Sequence, residues 1–298
     1  MEKMKIVNPL KGDNSVKALQ EDAYVCLRKD ELVYPRLAEL SLTRAEAKRG
    51  MAVLLDFQED VHICASCPGL EKCPKATPGY RMSVVKEEGM LRPCFDSCTH
   101  LEKALEIRNR FVLADFPSSW YGVDLKDIEK SASTRNPLLK EMVAIAKRES
   151  SRWLYVSGKK KMGKSFILVC YAHRIGKIEP GVAYANSGKL FAKLREQSFK
   201  NGGEKFRRNL DLLKNASLLV LDEFGLGNVS PYDFENIIEP LLSYRAENDL
   251  LTAFGSTLPL EEVGEKYEKR LGDKATKLFQ LIKKKTKSFD ITGVKLYN

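Results

Sequence analysis

Gly158–Ser165 reads Gly-Lys-Lys-Lys-Met-Gly-Lys-Ser, which matches the phosphate-loop pattern G-x-x-x-x-G-K-[ST]. An apolar run, Trp153 to Val156, precedes it, and a helix-like run, Phe166 to Ile175, follows it. This order matters because the loop holds phosphate only when a strand leads into it and a helix N-terminus follows. The alternative is a basic turn between strand and helix, but a chance match is expected only about once in a hundred chains of this length. We therefore predict nucleotide binding.

The residue types in the loop predict separate roles around a triphosphate. Gly158 and Gly163 fit positions where φ is positive or where a Cβ would collide with phosphate. Lys164 is predicted to reach the β- and γ-phosphates, and Ser165 to offer its hydroxyl to Mg²⁺ beside the positive end of the helix dipole. The predicted nucleotide contacts are Gly158, Lys159, Lys160, Lys161, Met162, Gly163, Lys164, Ser165 and Phe166.

A second apolar run ends in two acidic residues. Residues 217–223 read Ser-Leu-Leu-Val-Leu-Asp-Glu, continuous enough for a strand buried on both faces. This looks like a Walker B strand, in which Asp222 would hold Mg²⁺ through water and Glu223 would orient or deprotonate the attacking water. An apolar strand ending in Asp is common in α/β proteins and is weak evidence by itself. The assignment as a Walker B strand is supported by its position after the phosphate loop, within one domain's length.

A third run, residues 250–257, reads Leu-Leu-Thr-Ala-Phe-Gly-Ser-Thr and also ends in polar residues. As a sheet neighbour of the other two strands, it would present Ser256 or Thr257 as a sensor of the γ-phosphate. A strand that simply ends in a turn before Pro259 is about as well supported for either residue alone. The residues with predicted catalytic roles are Lys164, Asp222, Glu223 and Thr257.

The order of elements predicts an α/β domain. Strands are expected at 153–157, 182–186, 217–222 and 250–256, and helices at about 136–149, 164–177, 188–199, 203–214, 231–247 and 273–284. Such alternation is typical of a parallel sheet covered by helices on both faces. Ser230 and Pro231 should begin the long helix, and Pro240 should kink it. An extended segment marked by Pro117 places the boundary between two domains, 1–110 and 111–298.

Charge and hydropathy limit the classes of protein. The 298-residue chain is 43% hydrophobic with a formal charge of +10, enough for substantial cores and suggestive of a polyanionic partner. It has no apolar run of about eighteen residues and no signal-peptide core, so we expect a cytoplasmic protein without membrane contact. The last segment, 264–298, is basic, and a solvated face and a nucleic-acid contact are equally supported. Its ten basic residues are Lys266, Lys269, Arg270, Lys274, Lys277, Lys283, Lys284, Lys285, Lys287 and Lys295.

The N-terminal part predicts few helices. Thr43-Arg-Ala-Glu46 is a capping-box pattern that begins an amphipathic helix running to about residue 58, and another helix is expected between Val16 and Leu27. Two helices are too few for a stable domain of ordinary kind. The sequence therefore predicts a further stabilising element in this region.

Clustered cysteines indicate what that element is. Five of the seven cysteines fall between positions 64 and 98, and in a reducing cytosol such clustering favours metal ligation over disulfides. A structural Zn²⁺ site needs four ligands, for which we favour Cys64, Cys67, Cys73 and Cys94. Cys98 and His100 are reserves, since both are expected to lie on the helix that starts near residue 99. An iron–sulfur cluster uses four cysteines too and stays open as a less favoured alternative.

Three stretches together resemble the AAA+ ATPases of the bacterial helicase-loader group, to which DnaC-like proteins belong. They are Phe57-Gln-Glu-Asp leading into the cysteines of 64–73 with Arg92-Pro-Cys94, the phosphate loop, and Leu219-Val-Leu-Asp-Glu-Phe-Gly with Glu239-Pro-Leu-Leu-Ser-Tyr-Arg245. The resemblance covers nearly the whole chain. The cysteine module joined to this ATPase is its specific part, since phosphate loops occur in many families. The implied fold is an AAA+ P-loop domain, with a parallel sheet flanked by helices, preceded by a small helical zinc-binding domain.

The resemblance also implies a function in DNA replication, as a component of the primosome. A protein similar to these loaders would bind the hexameric replicative DNA helicase through its zinc module. Its AAA+ domain would bind ATP or ADP with Mg²⁺, and single-stranded DNA. ATP would set the assembly state that opens or holds the helicase ring on DNA, and hydrolysis would release the loader. Self-association and other primosome proteins are further candidate partners.

Two departures from the family pattern bear on hydrolysis. Relatives usually have a third glycine where this chain has Lys161, and a left-handed backbone there would cost about 1 to 2 kcal/mol. Relatives also carry an arginine pair that reaches a neighbouring subunit's γ-phosphate, at places held here by Lys277 and Leu281. Arg270 or Arg245 are candidates to substitute. We therefore expect slow hydrolysis, or hydrolysis that depends on a partner's residue.

Two other functions stay open. The first is a nucleotide-gated helicase adaptor with little or no ATP hydrolysis. The second is a stand-alone P-loop kinase or small-molecule NTPase, which is disfavoured because the cysteine module and the basic C-terminal segment would then have no role.

Overall fold

The computed structural model describes residues 13–128 and 135–291. Contacts divide the chain into two compact units, Met1–Leu105 and Glu106–Asn298. The helices are α1 (Asp13–Lys29), α2 (Tyr34–Glu39), α3 (Arg44–Arg49), α4 (Met51–Ala65), α5 (Thr99–Asn109), α6 (Arg135–Ala146), α7 (Lys164–Gly176), α8 (Ser187–Ser198), α9 (Glu204–Lys214), α10 (Pro231–Asp233), α11 (Glu239–Glu247), α12 (Leu260–Leu271) and α13 (Asp273–Lys285). The strands are β1 (Tyr80–Glu87), β2 (Met90–Ser97), β3 (Phe111–Ala114), β4 (Trp153–Ser157), β5 (Val182–Asn186), β6 (Leu218–Asp222), β7 (Leu251–Ser256) and β8 (Thr286–Asp290).

The N-terminal unit contains a β-hairpin that the sequence analysis missed. Strands β1 and β2 pair antiparallel through the two-residue turn Glu88-Gly89, where both residues have positive φ (49° and 73°) as a tight hairpin turn requires. The prediction of a purely helical unit is therefore wrong. The hairpin and the helices bury one apolar cluster, which includes Leu27, Leu54 and Val84. The sequence analysis expected only two helices here and did not predict this core, whose apolar burial stabilises the unit.

The helix predicted from 43 to about 58 is two helices. Thr43 caps α3 with the predicted reciprocal capping box to Glu46. The chain then breaks at Gly50, and α4 continues from Met51 to Ala65. A Cβ on Gly50 would lie 2.6 Å from Leu91 Cδ1, so the hairpin packs directly against the backbone at the break. The close approach of β2, which sequence periodicity does not report, explains the interruption.

The larger unit has a six-stranded parallel sheet in the order β3-β5-β6-β7-β4-β8. Its helices cover two apolar clusters, as predicted for an α/β fold. Strand β4, which leads into the phosphate loop, lies between β7 and β8, and one strand separates it from the acidic strand β6. All three predicted motifs therefore end at one edge of the sheet, because parallel strands share their direction.

The helix predicted from 231 to 247 changes its winding in the middle. Ser230 caps it by accepting a hydrogen bond from the Asp233 N–H, as predicted. Residues 234–238 then form a π-helical turn, and Pro240 lies in the first turn of α11. Pro240 has no N–H to donate to the carbonyl four residues before it, and the wider turn lies just ahead of it, so the irregularity precedes the proline. In the described ranges, no helix is both long and apolar enough to cross a membrane.

Candidate nucleotide-binding site

The phosphate loop connects β4 to α7 and has the backbone that its glycines predict. Gly158 and Gly163 have φ of 150° and 80°, and α7 begins at the next residue, Lys164. Lys161 also has positive φ, 64°, at the place where relatives usually have a third glycine. A side chain in this conformation costs about 1 to 2 kcal/mol. The strain anticipated from the sequence at Lys161 is therefore present.

Lys164 lies buried across the loop. Its Nζ donates hydrogen bonds to the carbonyl oxygens of Gly158 at 2.7 Å and Lys159 at 2.8 Å. Burial lowers the pKa of this ammonium, and the nearby carboxylates of Asp222 and Glu223 oppose that shift. A buried ammonium with a compact charge is suited to contact phosphate oxygens at this position.

Asp222 ends β6 and is held in a defined orientation. One carboxylate oxygen accepts from the Tyr184 hydroxyl at 2.8 Å, and the other accepts from the Glu223 N–H at 2.9 Å. Burial, together with the neighbouring Asp222 charge, raises the pKa of Tyr184, so this hydroxyl acts as a donor. A Cβ added to Gly255 on β7 would lie 2.4 Å from Asp222 Oδ1, so glycine at that position leaves room for the carboxylate.

Glu223 is held by an asparagine that the sequence analysis missed. Its backbone has positive φ, 54°, an uncommon conformation for a side chain other than Asn, Asp or Gly. Asn186, at the end of β5, donates from Nδ2 to Glu223 Oε2 at 2.5 Å. The Asn186 Oδ1 accepts from the Lys189 N–H and caps α8. Only the pairing of β5 with β6 brings Asn186 beside the acid, so no local pattern predicts it.

The structure separates the two candidate sensors at the end of β7. Ser256 is fully buried, donates to the Phe224 carbonyl at 2.8 Å and accepts from the Leu258 N–H at 3.1 Å. Its hydroxyl is therefore engaged in holding the turn together. Thr257 is half-buried, and both residues line the cavity that contains the acidic pair. The engagement of the Ser256 hydroxyl therefore leaves Thr257 as the favoured sensor.

One cavity of about 880 Å³ brings the predicted motifs together. Its lining includes the loop from Lys160 to Phe166, the acids Asp222 and Glu223, and Thr257. Ser165 and Asp222, the predicted Mg²⁺ ligands, both face it. Gly158 and Lys159 do not line the cavity, but their carbonyl oxygens accept hydrogen bonds from Lys164, which does. Trp120 also lines this cavity and was not predicted, because it lies in a short 3-10 turn far from every motif.

Trp120 is anchored to the phosphate-loop helix by a buried histidine. His173 of α7 places Nε2 at 3.0 Å from the Trp120 carbonyl oxygen, and since a carbonyl only accepts, Nε2 carries the hydrogen. The ring is fully buried, and its Nδ1 has no partner among the described residues. Burial lowers the pKa of His173 to about 4.

This lowered pKa predicts a pH dependence of stability. The pKa of the folded state lies below the ordinary value of 6.5, so neutral His173 stabilises the fold above pH 6.5 and the contribution is lost as the pH falls towards 4. We expect a loss of about 3 kcal/mol over this range. Urea denaturation at several pH values measures it, and His173→Gln should flatten the slope between pH 6.5 and 4 relative to the unchanged chain. An identical slope in both proteins would contradict the assignment.

The predicted cysteine ligands are not brought together. Within 13–128 and 135–291, no three His, Cys, Asp or Glu side chains form a group that could hold a metal ion. Cys64 lies in the last turn of α4, and its Sγ lies 2.9 Å from the Lys75 ammonium, which also pairs with Asp60. Cys67 and Cys94 are exposed, while Cys73 and the reserve Cys98 are half-buried. His100, the other reserve, is exposed in α5. The described arrangement therefore does not fit the four-ligand zinc site predicted from the spacing.

The hairpin places Cys94 on the face opposite the core. On β1, Met82 and Val84 belong to the core shared with α4, so that face of the hairpin meets the helices. Cys94 pairs with Ser83, the residue between them, and therefore belongs to the opposite face.

The basic C-terminal segment is largely engaged with its own chain. Lys266 donates to the carbonyls of Gly225, Leu226 and Gly227, and four more of its lysines pair with carboxylates. These four are Lys274, Lys283, Lys285 and Lys287. Lys295 lies outside the described residues. This pairing weakens the prediction that the segment is a nucleic-acid contact.

The two arginines considered as substitutes for the missing pair differ in position. Arg245 is fully buried and donates to the carbonyls of Leu213 and Ala216 and to the Thr252 hydroxyl, so it cannot reach another subunit. Burial lowers the pKa of its guanidinium to about 9. Arg270 is exposed near the end of α12, so it remains the candidate to reach the γ-phosphate of a neighbouring subunit. Lys277 and Leu281 line a separate cavity of about 530 Å³ next to the π-helical turn.

Comparisons with known proteins find helicase loaders among the proteins to which this chain is similar. No protein-family model matches the chain. It is 19% identical over 241 residues to the replicative helicase loader DnaI of Bacillus subtilis (strain 168), covering 78% of this chain and 74% of that protein. The crystal structure of DnaI matches with a TM-score of 0.54 and 21% identity, covering 61% of this chain and 97% of that one.

Two further solved structures share the fold. A putative primosome component from Streptococcus pyogenes serotype M3 matches with a TM-score of 0.52 and 20% identity, covering 64% of this chain and 98% of that one. The DnaC helicase loader matches with a TM-score of 0.50 and 18% identity, covering 59% of this chain and 100% of that one. At these identities the structures show a common fold, a parallel sheet flanked by helices. The resemblance predicted from the sequence is confirmed: this chain is similar to the DnaI- and DnaC-type helicase loaders.

Proposed function

We propose that the protein is an ATP-dependent loader of the replicative DNA helicase. The observation that carries the proposal is the single cavity lined by Lys164, the acids Asp222 and Glu223, and Thr257. Its parts are those needed to bind a nucleoside triphosphate with Mg²⁺ and to act on the γ-phosphate. The similarity to DnaI and DnaC supports the choice of loader over a stand-alone kinase.

The N-terminal region, residues 1–110, would bind the hexameric helicase, and the AAA+ domain, residues 111–298, would bind ATP or ADP. A pull-down with the replicative helicase of the same organism, with and without ATP, tests this arrangement. We expect the full chain to retain the helicase in a nucleotide-dependent manner, and Lys164→Ala to lose the dependence. Absence of any complex under both conditions would overturn the loader assignment.

Hydrolysis distinguishes a loader that turns over from a nucleotide-gated adaptor. In the proposed site Glu223 would orient or deprotonate water, yet its carboxylate is held by Asn186 and its backbone has positive φ. The strained Lys161 and the missing arginine pair also favour slow turnover. Steady-state ATPase rates with helicase and single-stranded DNA decide between the two. In a hydrolysing loader Glu223→Gln should lower the rate by about 10²-fold or more while binding persists. Equal rates would remove Glu223 from this role.

We propose single-stranded DNA as a partner of the larger unit. Residues 106–298 contain 34 Lys and Arg against 24 Asp and Glu, whereas residues 1–105 contain 16 of each. Phe199 follows α8 with 72% of its surface exposed, stacks on Tyr232 at 5.2 Å between ring centroids, and is followed by Lys200. Exposed aromatic rings beside cations are typical of single-strand binding surfaces. Lys200 itself pairs with Glu196, so this surface is a second candidate beside the C-terminal segment.

Phe199→Ala should reduce single-strand affinity by about tenfold, since stacking of one base contributes about 1–3 kcal/mol. Fluorescence anisotropy with a labelled oligonucleotide at several salt concentrations measures the change. Phe95→Ala is the matched control, because Phe95 is an exposed phenylalanine of the N-terminal unit. Equal losses from both variants, or none from either, would count against the surface.

Zinc binding by the N-terminal unit stays a prediction. The cysteine cluster in the sequence supports it, and the described positions of the cysteines do not. Metal analysis of protein purified without chelator decides the matter. About one equivalent of zinc per chain would support the predicted site, and iron or no metal would overturn it.

A further inference from the structure

The cavity that holds the phosphate-binding residues also has an aromatic wall. Trp120 lies in the 3-10 turn Ser118–Trp120 and is half-buried at the cavity edge. Its ring meets that of Phe166 edge-on, with centroids 5.6 Å apart and planes at 83°. Phe166 directly follows Ser165, so the aromatic pair lies next to the phosphate loop.

His173 fixes Trp120 relative to that loop. The histidine lies on α7, the helix that begins at Lys164, and donates from Nε2 to the Trp120 carbonyl at 3.0 Å. Three aromatic rings near Trp120 in the sequence contact the imidazole edge-on. The distances between ring centroids are 4.8 Å for Phe111, 5.7 Å for Phe116 and 6.3 Å for Tyr121. One rigid helix therefore carries both the phosphate-binding lysine and the anchor of the aromatic wall.

The chemistry of this wall differs from that of the rest of the cavity. The lysines, acids and hydroxyl-bearing residues belong to the loop and to the ends of β6 and β7, whereas Trp120, Phe166 and Leu226 give apolar surface. An indole offers a flat face for stacking and a single N–H donor, without a pattern of donors and acceptors that would read one base edge.

We propose that Trp120 forms the subsite for the nucleotide base, with His173 as its positioning residue, and that this subsite prefers purines over pyrimidines with little discrimination between adenine and guanine. The inference rests on the proposed nucleotide binding and names its base-contacting residue. Stacking grows with the overlapping ring area, which is larger for a purine. Among the side chains of Trp120, Phe166 and Leu226, only the indole N–H can form a hydrogen bond, so they do not supply the readout that would separate the two purines.

Binding of ATP and of inorganic tripolyphosphate tests the proposal, because only ATP carries a base. Isothermal titration of the full chain with Mg²⁺ should show Trp120→Ala weakening ATP by about tenfold while tripolyphosphate affinity is unchanged. Trp120→Phe, which keeps a stacking face, should stay within about threefold of the unchanged chain for both. GTP should bind within about threefold of ATP, and CTP and UTP more weakly.

The outcomes separate this inference from the proposed function. If the unchanged chain binds neither ATP nor tripolyphosphate, the nucleotide site itself fails. If it binds ATP and Trp120→Ala binds ATP equally well, the nucleotide site stands and the base subsite is wrong. A loss of both ligands in Trp120→Ala would assign Trp120 a structural role instead.

Fluorescence gives a second readout, because the chain has two tryptophans. Trp153 is 1% exposed in the sheet core and donates to the Leu250 carbonyl, so its emission should not respond to nucleotide. We expect ATP, but not tripolyphosphate, to quench Trp120. Trp120→Phe should abolish the quench and retain the blue-shifted emission of Trp153, which also reports that the variant is folded.

His173 is tested through the same signals. His173→Leu removes the donor to the Trp120 carbonyl and should reduce both the ATP quench and ATP affinity by about threefold or more, with tripolyphosphate affinity unchanged. His173→Gln offers an N–H donor in its place and should restore part of both. Equal behaviour of these two variants and the unchanged chain would remove His173 from the positioning role.

Discussion

Lys164→Ala is expected to weaken ATP and ADP binding by at least a hundredfold. The ammonium is buried at the start of α7 in the cavity that also contains Asp222 and Glu223. Charge-assisted hydrogen bonds to phosphate contribute about 1.5–3 kcal/mol each, and Lys164 is placed to make two. Titration calorimetry with either nucleotide and Mg²⁺ measures the loss.

The same variant should keep its fold. Burial lowers the pKa of Lys164, so its charged form is already disfavoured by the protein, and removing it relieves that cost. Lys147→Ala is the control, because Lys147 is exposed and its ion pair with Glu149 spans 3.9 Å. If the Lys164→Ala protein has the melting temperature of the unchanged chain and a nucleotide affinity within threefold of it, this lysine does not take part in nucleotide binding.

Gly255→Ala is the substitution with the second-largest expected effect. The new Cβ would lie 2.4 Å from Asp222 Oδ1 and 2.7 Å from Leu168 Cδ1, distances that real Cβ atoms do not adopt. Overpacking of this kind costs about 1–3 kcal/mol. The carboxylate has less room to adjust than an exposed side chain, since Tyr184 and the Glu223 N–H hold it.

We therefore expect Gly255→Ala to displace Asp222 and to weaken the Mg²⁺ dependence of nucleotide binding by about tenfold. Urea denaturation gives the stability change, and titration of Mg²⁺ at fixed ADP gives the functional one. Gly227→Ala is the matched control, because a Cβ there meets nothing within 4 Å. Unchanged Mg²⁺ dependence in Gly255→Ala would mean that Asp222 does not act through the metal.

The local motifs were predictable from the sequence because the residues on either side of each motif indicate its secondary structure. The phosphate loop is bounded by a buried strand and a helix, and Asp222 closes an apolar run, so type and position follow from a few residues each. The positive φ of Lys161 was also foreseeable from the glycine that relatives have there.

Contacts across strands were not predictable in the same way. Asn186 and Tyr184 reach the acids only because β5 pairs with β6, and Trp120 reaches the cavity from a turn without any repeating pattern. The hairpin of β1 and β2 was missed because its many exposed residues obscure the alternation of apolar and polar side chains. Strand β8 was missed because the Lys-rich run before it reads as a solvated helix.

The position of β8 in the sheet has a consequence for biosynthesis. Strand β4 pairs with β7 and β8, which follow it by about 100 and 130 residues in the chain. During translation the strand that carries the phosphate loop therefore has no hydrogen-bonded neighbour until β7 has emerged, and it lacks the second until Asp290 has left the ribosome. The N-terminal unit, whose pairings are local, can fold long before that. Nascent chains arrested before β7 should accordingly yield a protease-resistant N-terminal fragment and no capacity to retain nucleotide.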